Sequence, residues 1–263
     1  MNTKVLLFLL AILTPLFSHE ISHEKALMKQ AKTAYHTNHY PKALMLYTQA
    51  CNEKVGKGCF KAGKMIDTGE GVKKPNTAKA LKLYVKGCDY GHSRACLKLA
   101  EKYHEGEGVK RNAVKAKNFY AKTLTLSTQA CERGKASACL NLGMLYAQGK
   151  GVPKNPQKAK QLYGKTMSLY LQQCIEGKGK ECTKLGDMYT YGNGIPQDYH
   201  QALPLFQKAC DLGNPNGCFS LGFVYDVGHG VPKDKAKAKQ IYQKACTLGD
   251  EFSCNVIHVH HHP

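Results

Sequence analysis

Past its first residues the chain lacks any stretch approaching the roughly 20 consecutive apolar residues of a membrane-spanning helix, so no later segment reads as a membrane anchor. Acid is scarce: 19 Asp and Glu stand against 38 Lys and Arg in 263 residues, for a formal charge of +19. That balance favours acidic partners such as anionic polymers or surfaces. The lysines are spread along the chain, as in Lys73-Lys74, Lys110-Arg111, Lys158 with Lys160, and Lys237 with Lys239. No aromatic-laced basic patch or nucleic-acid motif accompanies them, so they read as solvated helix faces and nucleic acid is not expected as a partner.

No cysteine is left over. The 12 cysteines form six pairs with seven residues between partners: Cys51 and Cys59, Cys88 and Cys96, Cys131 and Cys139, Cys174 and Cys182, Cys210 and Cys218, Cys246 and Cys254. First members of successive pairs lie 37, 43, 43, 36 and 36 residues apart, a period typical of stacked helical hairpins. Zinc chelation needs two to four residues between ligands, and seven is too many. Disulfides therefore fit better, in an oxidising compartment. The start of the chain agrees: Lys4 precedes an apolar run from Val5 to Leu13, and charges resume at His19-Glu20. Residues 1–18 read as a secretory signal peptide cleaved near Ser18. Its removal takes one Lys and lowers the formal charge from +19 to +18. The mature protein is expected in the periplasm or outside the cell.

Aligned on the second cysteine of each pair, the segments share one plan. The third begins Cys139-Leu140-Asn141-Leu142-Gly143-Met144-Leu145-Tyr146 and continues through Gly149, Gly151, Val152 and Pro153 to Lys158-Ala159-Lys160-Gln161-Leu162-Tyr163. Apolar and small residues recur at three- and four-residue steps, which marks amphipathic helices. Between the helices lies Gly-x-Gly followed by Val or Ile, from Gly69, Gly71 and Val72 to Gly228, Gly230 and Val231. A phosphate loop would need a preceding strand, which is missing. The first glycine instead ends a helix in a left-handed conformation, and Pro153, Pro196 and Pro232 hold the chain extended before the next helix. Gly143, Gly186 and Gly222, with Gly63 and Ala100 in the same place, mark a close helix approach. Each cysteine pair spans a junction between hairpins. Spacing alone leaves connectivity open, but antiparallel helices near a short turn meet the 4.4–6.8 Å Cα separation of a disulfide, so local bridges are expected.

The pattern of Leu-Gly, Tyr, Gly-x-Gly-Val, Lys-Ala and Tyr resembles the Sel1-like repeat, a relative of the tetratricopeptide repeat. With a cysteine pair at every junction, the chain is similar to the Helicobacter cysteine-rich protein family across residues 25–257. Local departures are Ile66 for the first-helix Tyr, Gln201 for Lys, and Phe206 for the second-helix Tyr. The expected fold is an all-α, right-handed superhelical solenoid. A tetratricopeptide-like capping hairpin over 19–51 leads to five repeats near 59–88, 96–131, 139–174, 182–210 and 218–246, then a capping segment to 257 and a His-rich tail over 258–263. Seven extra residues near Thr123 to Gln129 and Thr166 to Gln172 account for the 43-residue periods and are expected to project as a ridge.

The resemblance implies a penicillin-binding or weak β-lactamase activity. Against it, the chain's Ser-x-x-Lys is Ser22 to Lys25, beside the expected cleavage point, and neither Ser-Asp-Asn nor Lys-Thr-Gly occurs. The sequence thus favours a protein- or peptide-binding scaffold facing the host or the cell wall, acting as a monomer without a cofactor, and beta-lactam hydrolysis is the alternative. Lys98, Asn141, Lys184 and Ser220, two residues after successive second cysteines, are candidates to line a groove on the first helices. His258, His260, His261 and His262 form a candidate metal-capturing tail, because neutral imidazole is a common ligand.

Overall fold

A computed structural model describes residues 23–259, with side chains to residue 257. The expected leader over 1–18, Ser22, and the tail histidines beyond 259 lie outside the described residues, as does the side chain of His258. The described residues fold into 13 helices and no strand, an all-α solenoid. Two compact units divide between Leu126 and Ser127. Unit 1 holds α1 (residues 23–36), α2 (Tyr40–Asn52), α3 (Gly56–Thr68), α4 (Thr77–Asp89), α5 (Ser93–Glu105) and the start of α6 (Ala113–Glu132). Unit 2 holds the rest of α6, then α7 (Ala136–Gln148), α8 (Pro156–Ile175), α9 (Gly179–Tyr191), α10 (Tyr199–Asp211), α11 (Pro215–Val227), α12 (Lys235–Thr247) and α13 (Glu251–Val259).

Local chemistry sets the helix ends. Asn76, Asn155, Asp198 and Asp234 cap α4, α8, α10 and α12, their side-chain oxygens accepting from Lys79, Lys158, Gln201 and Lys237 backbone N–H groups at 2.9–3.1 Å. Such a cap satisfies a donor that the first helical turn leaves open. First helices stop at the expected glycines: Gly69 (φ 88°) and Gly192 (φ 63°) are left-handed and end α3 and α9.

Six local disulfides close the junctions. In unit 1 they join Cys51 to Cys59 and Cys88 to Cys96. In unit 2 they join Cys131 to Cys139, Cys174 to Cys182, Cys210 to Cys218 and Cys246 to Cys254. Their Cα–Cα distances are 4.4–4.8 Å, and no cysteine is free. Each bridge ties the last turn of a second helix to the first turn of the next first helix, so that Cys96 opens α5 and Cys182 opens α9, both fully buried. Within each hairpin the small residue on the first helix lies under an aromatic ring of the second. A Cβ on Gly63 would come within 2.8 Å of the Tyr84 ring, on Gly143 within 2.7 Å of Tyr163, and on Gly186 within 2.5 Å of Phe206. The expected close approach is thus a ring seated on bare backbone. The core continues along each unit from these contacts, from Leu27, Ala31 and Ala34 of α1 against Ala43, Leu46 and Tyr47 of α2 onward.

The seven extra residues of α8 do not stand out as a ridge, contrary to expectation. Asn155 to Tyr163 is eight residues, as is Asp198 to Phe206, so the addition falls in the C-terminal half of α8. There Tyr170 joins Ala136, Leu185 and Met188 in one core cluster, and Thr166 is fully buried with its hydroxyl donating to the Leu162 carbonyl at 2.8 Å. α7 and α9 both pack on α8, which leaves Leu171 and Ile175 exposed on the outer side.

Gly186→Ala is expected to destabilise unit 2 by roughly 1–3 kcal/mol, because its methyl group must displace the Phe206 ring. Urea denaturation checks this, and a variant as stable as the parent protein refutes the ring-on-backbone contact as a packing constraint.

Candidate functional site

The structure places Lys98, Asn141, Lys184 and Ser220 half-buried on α5, α7, α9 and α11. In unit 1 Lys98 Nζ lies 4.0 Å from Glu107. In unit 2 the Lys184 ammonium donates to Glu181 at 2.9 Å and sits 5.2 Å from the Tyr170 ring centroid, so it is engaged within its own repeat. The same offset from Cys59 gives Lys61, which the sequence reading passed over although the spacing pointed to it. Burial pushes the Lys61 ammonium down, and the neighbouring charges of Lys64, Lys57 and Arg94 push it further. That part of unit 1 is electropositive and would be relieved by an anion.

A second feature of unit 1 lies on the second helices. Between α2 and α4 runs an open cleft of about 650 Å³, with Leu44, Met45 and Leu83 along its apolar lining. Met45 is 60% exposed there. Lys79, Lys82 and Lys86, at positions i, i+3 and i+7 of α4, stand along one wall. Among the described residues none of their ammonium groups has an acidic partner. Sequence reasoning missed this cleft, because helical periodicity identifies the inward face of each helix but not the gap between neighbours.

Two acids of unit 1 pair instead with a buried lysine. The Lys102 side chain on α5 is fully buried and its ammonium lies 2.9 Å from both Asp67 of α3 and Glu107. Tyr84 donates to the same Asp67 carboxylate at 3.3 Å. Burial alone would lower the Lys102 pKa, but hydrogen bonds and charge from Asp67 and Glu107 outweigh it and hold it above the ordinary lysine value. In unit 2, Asp187 of α9 is half-buried, its carboxylate has no ion pair or hydrogen bond among the described residues, and burial pushes the carboxyl up to about 6.

The family model described as Sel1 repeat matches six segments of the chain, residues 38–54, 56–92, 93–126, 136–166, 182–214 and 215–250, well over half its length. The chain belongs to the Sel1 repeat family. Sel1 repeats serve as scaffolds for protein interaction, and this chain is one such scaffold, stapled by disulfides. Among curated proteins nothing matches. Among solved structures it is similar to a protective antigen of uropathogenic Escherichia coli displaying an SLR fold, at 26% identity and TM-score 0.39, covering 90% of this chain and 49% of the other. This chain thus spans about half the length of that antigen. A Sel1 repeat protein from Oxalobacter formigenes is 28% identical over 78% of this chain and 76% of that one, with TM-score 0.42. Helicobacter pylori cysteine rich protein B is 31% identical over 53% of this chain and 96% of that one, with TM-score 0.35.

The Sel1 repeat register makes Lys102 stand out. Six residues after the second cysteine, the other first helices up to α11 carry Met65, Leu145, Met188 and Val224, each 1–2% exposed. A lone charge at an apolar register position, six residues after Cys96, was the signal that sequence reasoning missed. As for chemistry, Lys25 lies in α1 while Ser22 is outside the described residues, and no group of three His, Cys, Asp or Glu among those described could hold a metal ion.

Two outcomes follow from these charges. Lys102→Met is expected to cost roughly 2–4 kcal/mol by stranding Asp67, and Lys102→Met with Asp67→Ala to recover most of that loss in urea denaturation at pH 7; equal stability of parent and single variant refutes the pairing. The raised carboxyl of Asp187 makes its ionised form unfavourable in the fold, so its stabilising effect is full below the unfolded carboxylate range and is lost as pH rises through about 6. Asp187→Asn should therefore stabilise by on the order of 1–2 kcal/mol at pH 8 and hardly at all at pH 4. Melting temperatures at the two pH values read this directly.

Proposed function

We propose that this Sel1 repeat protein binds an acidic, amphipathic segment of a partner protein in the cleft between α2 and α4. The observation that supports it is the row of Lys79, Lys82 and Lys86, without acidic partners, beside the apolar Leu44, Met45 and Leu83. An apolar floor supplies burial and the lysines select negative charge, so the cleft discriminates by complementarity. The electropositive surroundings of Lys61 extend the same preference to the first-helix side of unit 1. Lys98 in unit 1 and, separately, Asn141, Lys184 and Ser220 in unit 2 are candidate contacts for a peptide on the first helices of their own unit. Six disulfides suit an oxidising compartment, and no helix among the described residues is long and apolar enough to cross a membrane. The working site is therefore the periplasm, the cell wall or a host surface.

A labelled peptide of about 12 residues, with leucines at helical spacing and glutamates between them, provides the probe. Anisotropy should show binding that weakens as salt rises. Reversal of all three charges, in Lys79→Glu/Lys82→Glu/Lys86→Glu, should weaken it at least ten-fold at low salt. Equal binding by a lysine-substituted peptide, or by the triple variant, defeats the proposal. The same preparation should leave a chromogenic cephalosporin intact, and turnover that survives removal of contaminating enzymes would favour beta-lactam hydrolysis instead.

A further inference from the structure

Two positions of the repeat carry opposite charges that meet at some junctions and stay apart at another. The residue after the first cysteine of a pair is Asp89 on α4, Glu132 on α6 and Asp211 on α10. Ten residues after the caps Asn112, Asn155 and Asp234 of the following second helices stand Lys122, Lys165 and Lys244. Within unit 1, Lys122 donates to Asp89 at 2.8 Å. Within unit 2, Lys244 lies 3.5 Å from Asp211. The register therefore sets this acid and this lysine opposite one another across neighbouring second helices. Glu132 and Lys165 hold the same two places in unit 2, and glutamate is the longer acid by one methylene. Among the described residues, however, neither side chain has an ion pair or a hydrogen bond.

Both line a cleft of about 340 Å³, together with Lys158 and Gln161 of α8 and with Leu142 and Tyr146 of α7. That volume lies within the range of small-ligand pockets. The cleft is the register counterpart in unit 2 of the one between α2 and α4. Lys158 and Lys165 stand three and ten residues after their cap, as Lys79 and Lys86 do. Three exchanges alter its chemistry. Gln161 stands in the place of Lys82, Glu132 in that of Asn52, and Tyr146 in that of Ile66. The Tyr146 hydroxyl and the Lys158 ammonium, like Glu132 and Lys165, have no partner among the described residues. The cleft of unit 1 presents one sign of charge, and this one presents both.

We infer that the cleft between α6 and α8 binds a zwitterionic dipeptide, with the peptide carboxylate held by Lys158 and Lys165 and its free ammonium held by Glu132. Gln161 can donate to or accept from the central amide, and Leu142 and Leu162 receive an apolar side chain beside the Tyr146 hydroxyl. A single amino acid holds its two charges on one carbon, whereas an extended dipeptide holds them about 7 Å apart, so that each can meet its own wall. Such a ligand brings a counterpart to both signs of charge. A purely anionic ligand would meet Glu132, and a purely cationic one would meet two lysines. The site shares neither residues nor ligand class with the cleft proposed for unit 1.

The test is isothermal titration calorimetry of the full disulfide-bonded chain with alanyl-leucine, with its N-acetylated and C-amidated forms, and with leucine alone. The free dipeptide is expected to bind, and each of the other three about ten-fold more weakly. Glu132→Gln should abolish the preference for the free amino terminus and keep that for the free carboxylate, and Lys158→Gln/Lys165→Gln should do the reverse. These three side chains are exposed, and retained helical circular dichroism shows that the variants fold. Lys79→Glu/Lys82→Glu/Lys86→Glu should bind the dipeptide as the parent protein does. No binding at millimolar dipeptide overturns the inference, and that is the result if Glu132 and Lys165 merely pair with each other in solution. Capped forms or leucine that bind as tightly as the free dipeptide also overturn it, as does loss of dipeptide binding in the triple variant of unit 1.

Discussion

A covalent link spanning eight residues of sequence holds the end of each second helix to the start of the next first helix, and the other contacts of the repeat are arranged around it. With Cα atoms 4.4–4.8 Å apart, the two helices have no freedom to separate at the junction. One helical hairpin cannot bury its own apolar face and depends on its neighbours, so fixing the junction fixes the stacking. Each short bridge contributes roughly 2–3 kcal/mol by restricting the unfolded chain, in a model whose mechanism is disputed. With the junctions held, the hairpin interior needs only a seat for one ring. Gly63, Gly143, Gly186 and Gly222 provide it.

Much of this was legible in the sequence because it is periodic. The cysteine spacing located the junctions, the paired glycines located the helix ends, and the small residue after Leu located the tight contact. What escaped was whatever depended on residues far apart in the chain. Lys102 reads locally as one more helix lysine, and only its distance of 2.9 Å from Asp67, 35 residues earlier, reveals a buried ion pair. The length of the addition in α8 was plain, but not that α9 covers it and draws Tyr170 into the core. The groove was sought on the first helices, where the repeat shows a regular polar row. The lysine-walled cleft between α2 and α4 arises from helix separation, which no local period encodes.

The distribution of charge in unit 1 ties these findings to function. Asp67 and Glu107 turn toward Lys102, and the lysines of α4 are left without acids of their own. An excess of positive charge that appears diffuse in composition thus becomes local in the fold, at a cleft with apolar surface beside it. Complementary charge raises encounter rates and rejects like-charged competitors, while the apolar lining supplies affinity.

Bridging between cysteines so near in sequence also bears on how the molecule matures. A loop this short brings its two thiols together as soon as the second cysteine is available, so its oxidation does not have to wait for the following hairpin. Native pairs can therefore close one after another in the order of synthesis, with each new thiol meeting its proper mate before any rival arrives. Twelve thiols would otherwise invite scrambling; pairing each cysteine with its neighbour in sequence reduces the number of rivals that a thiol can meet.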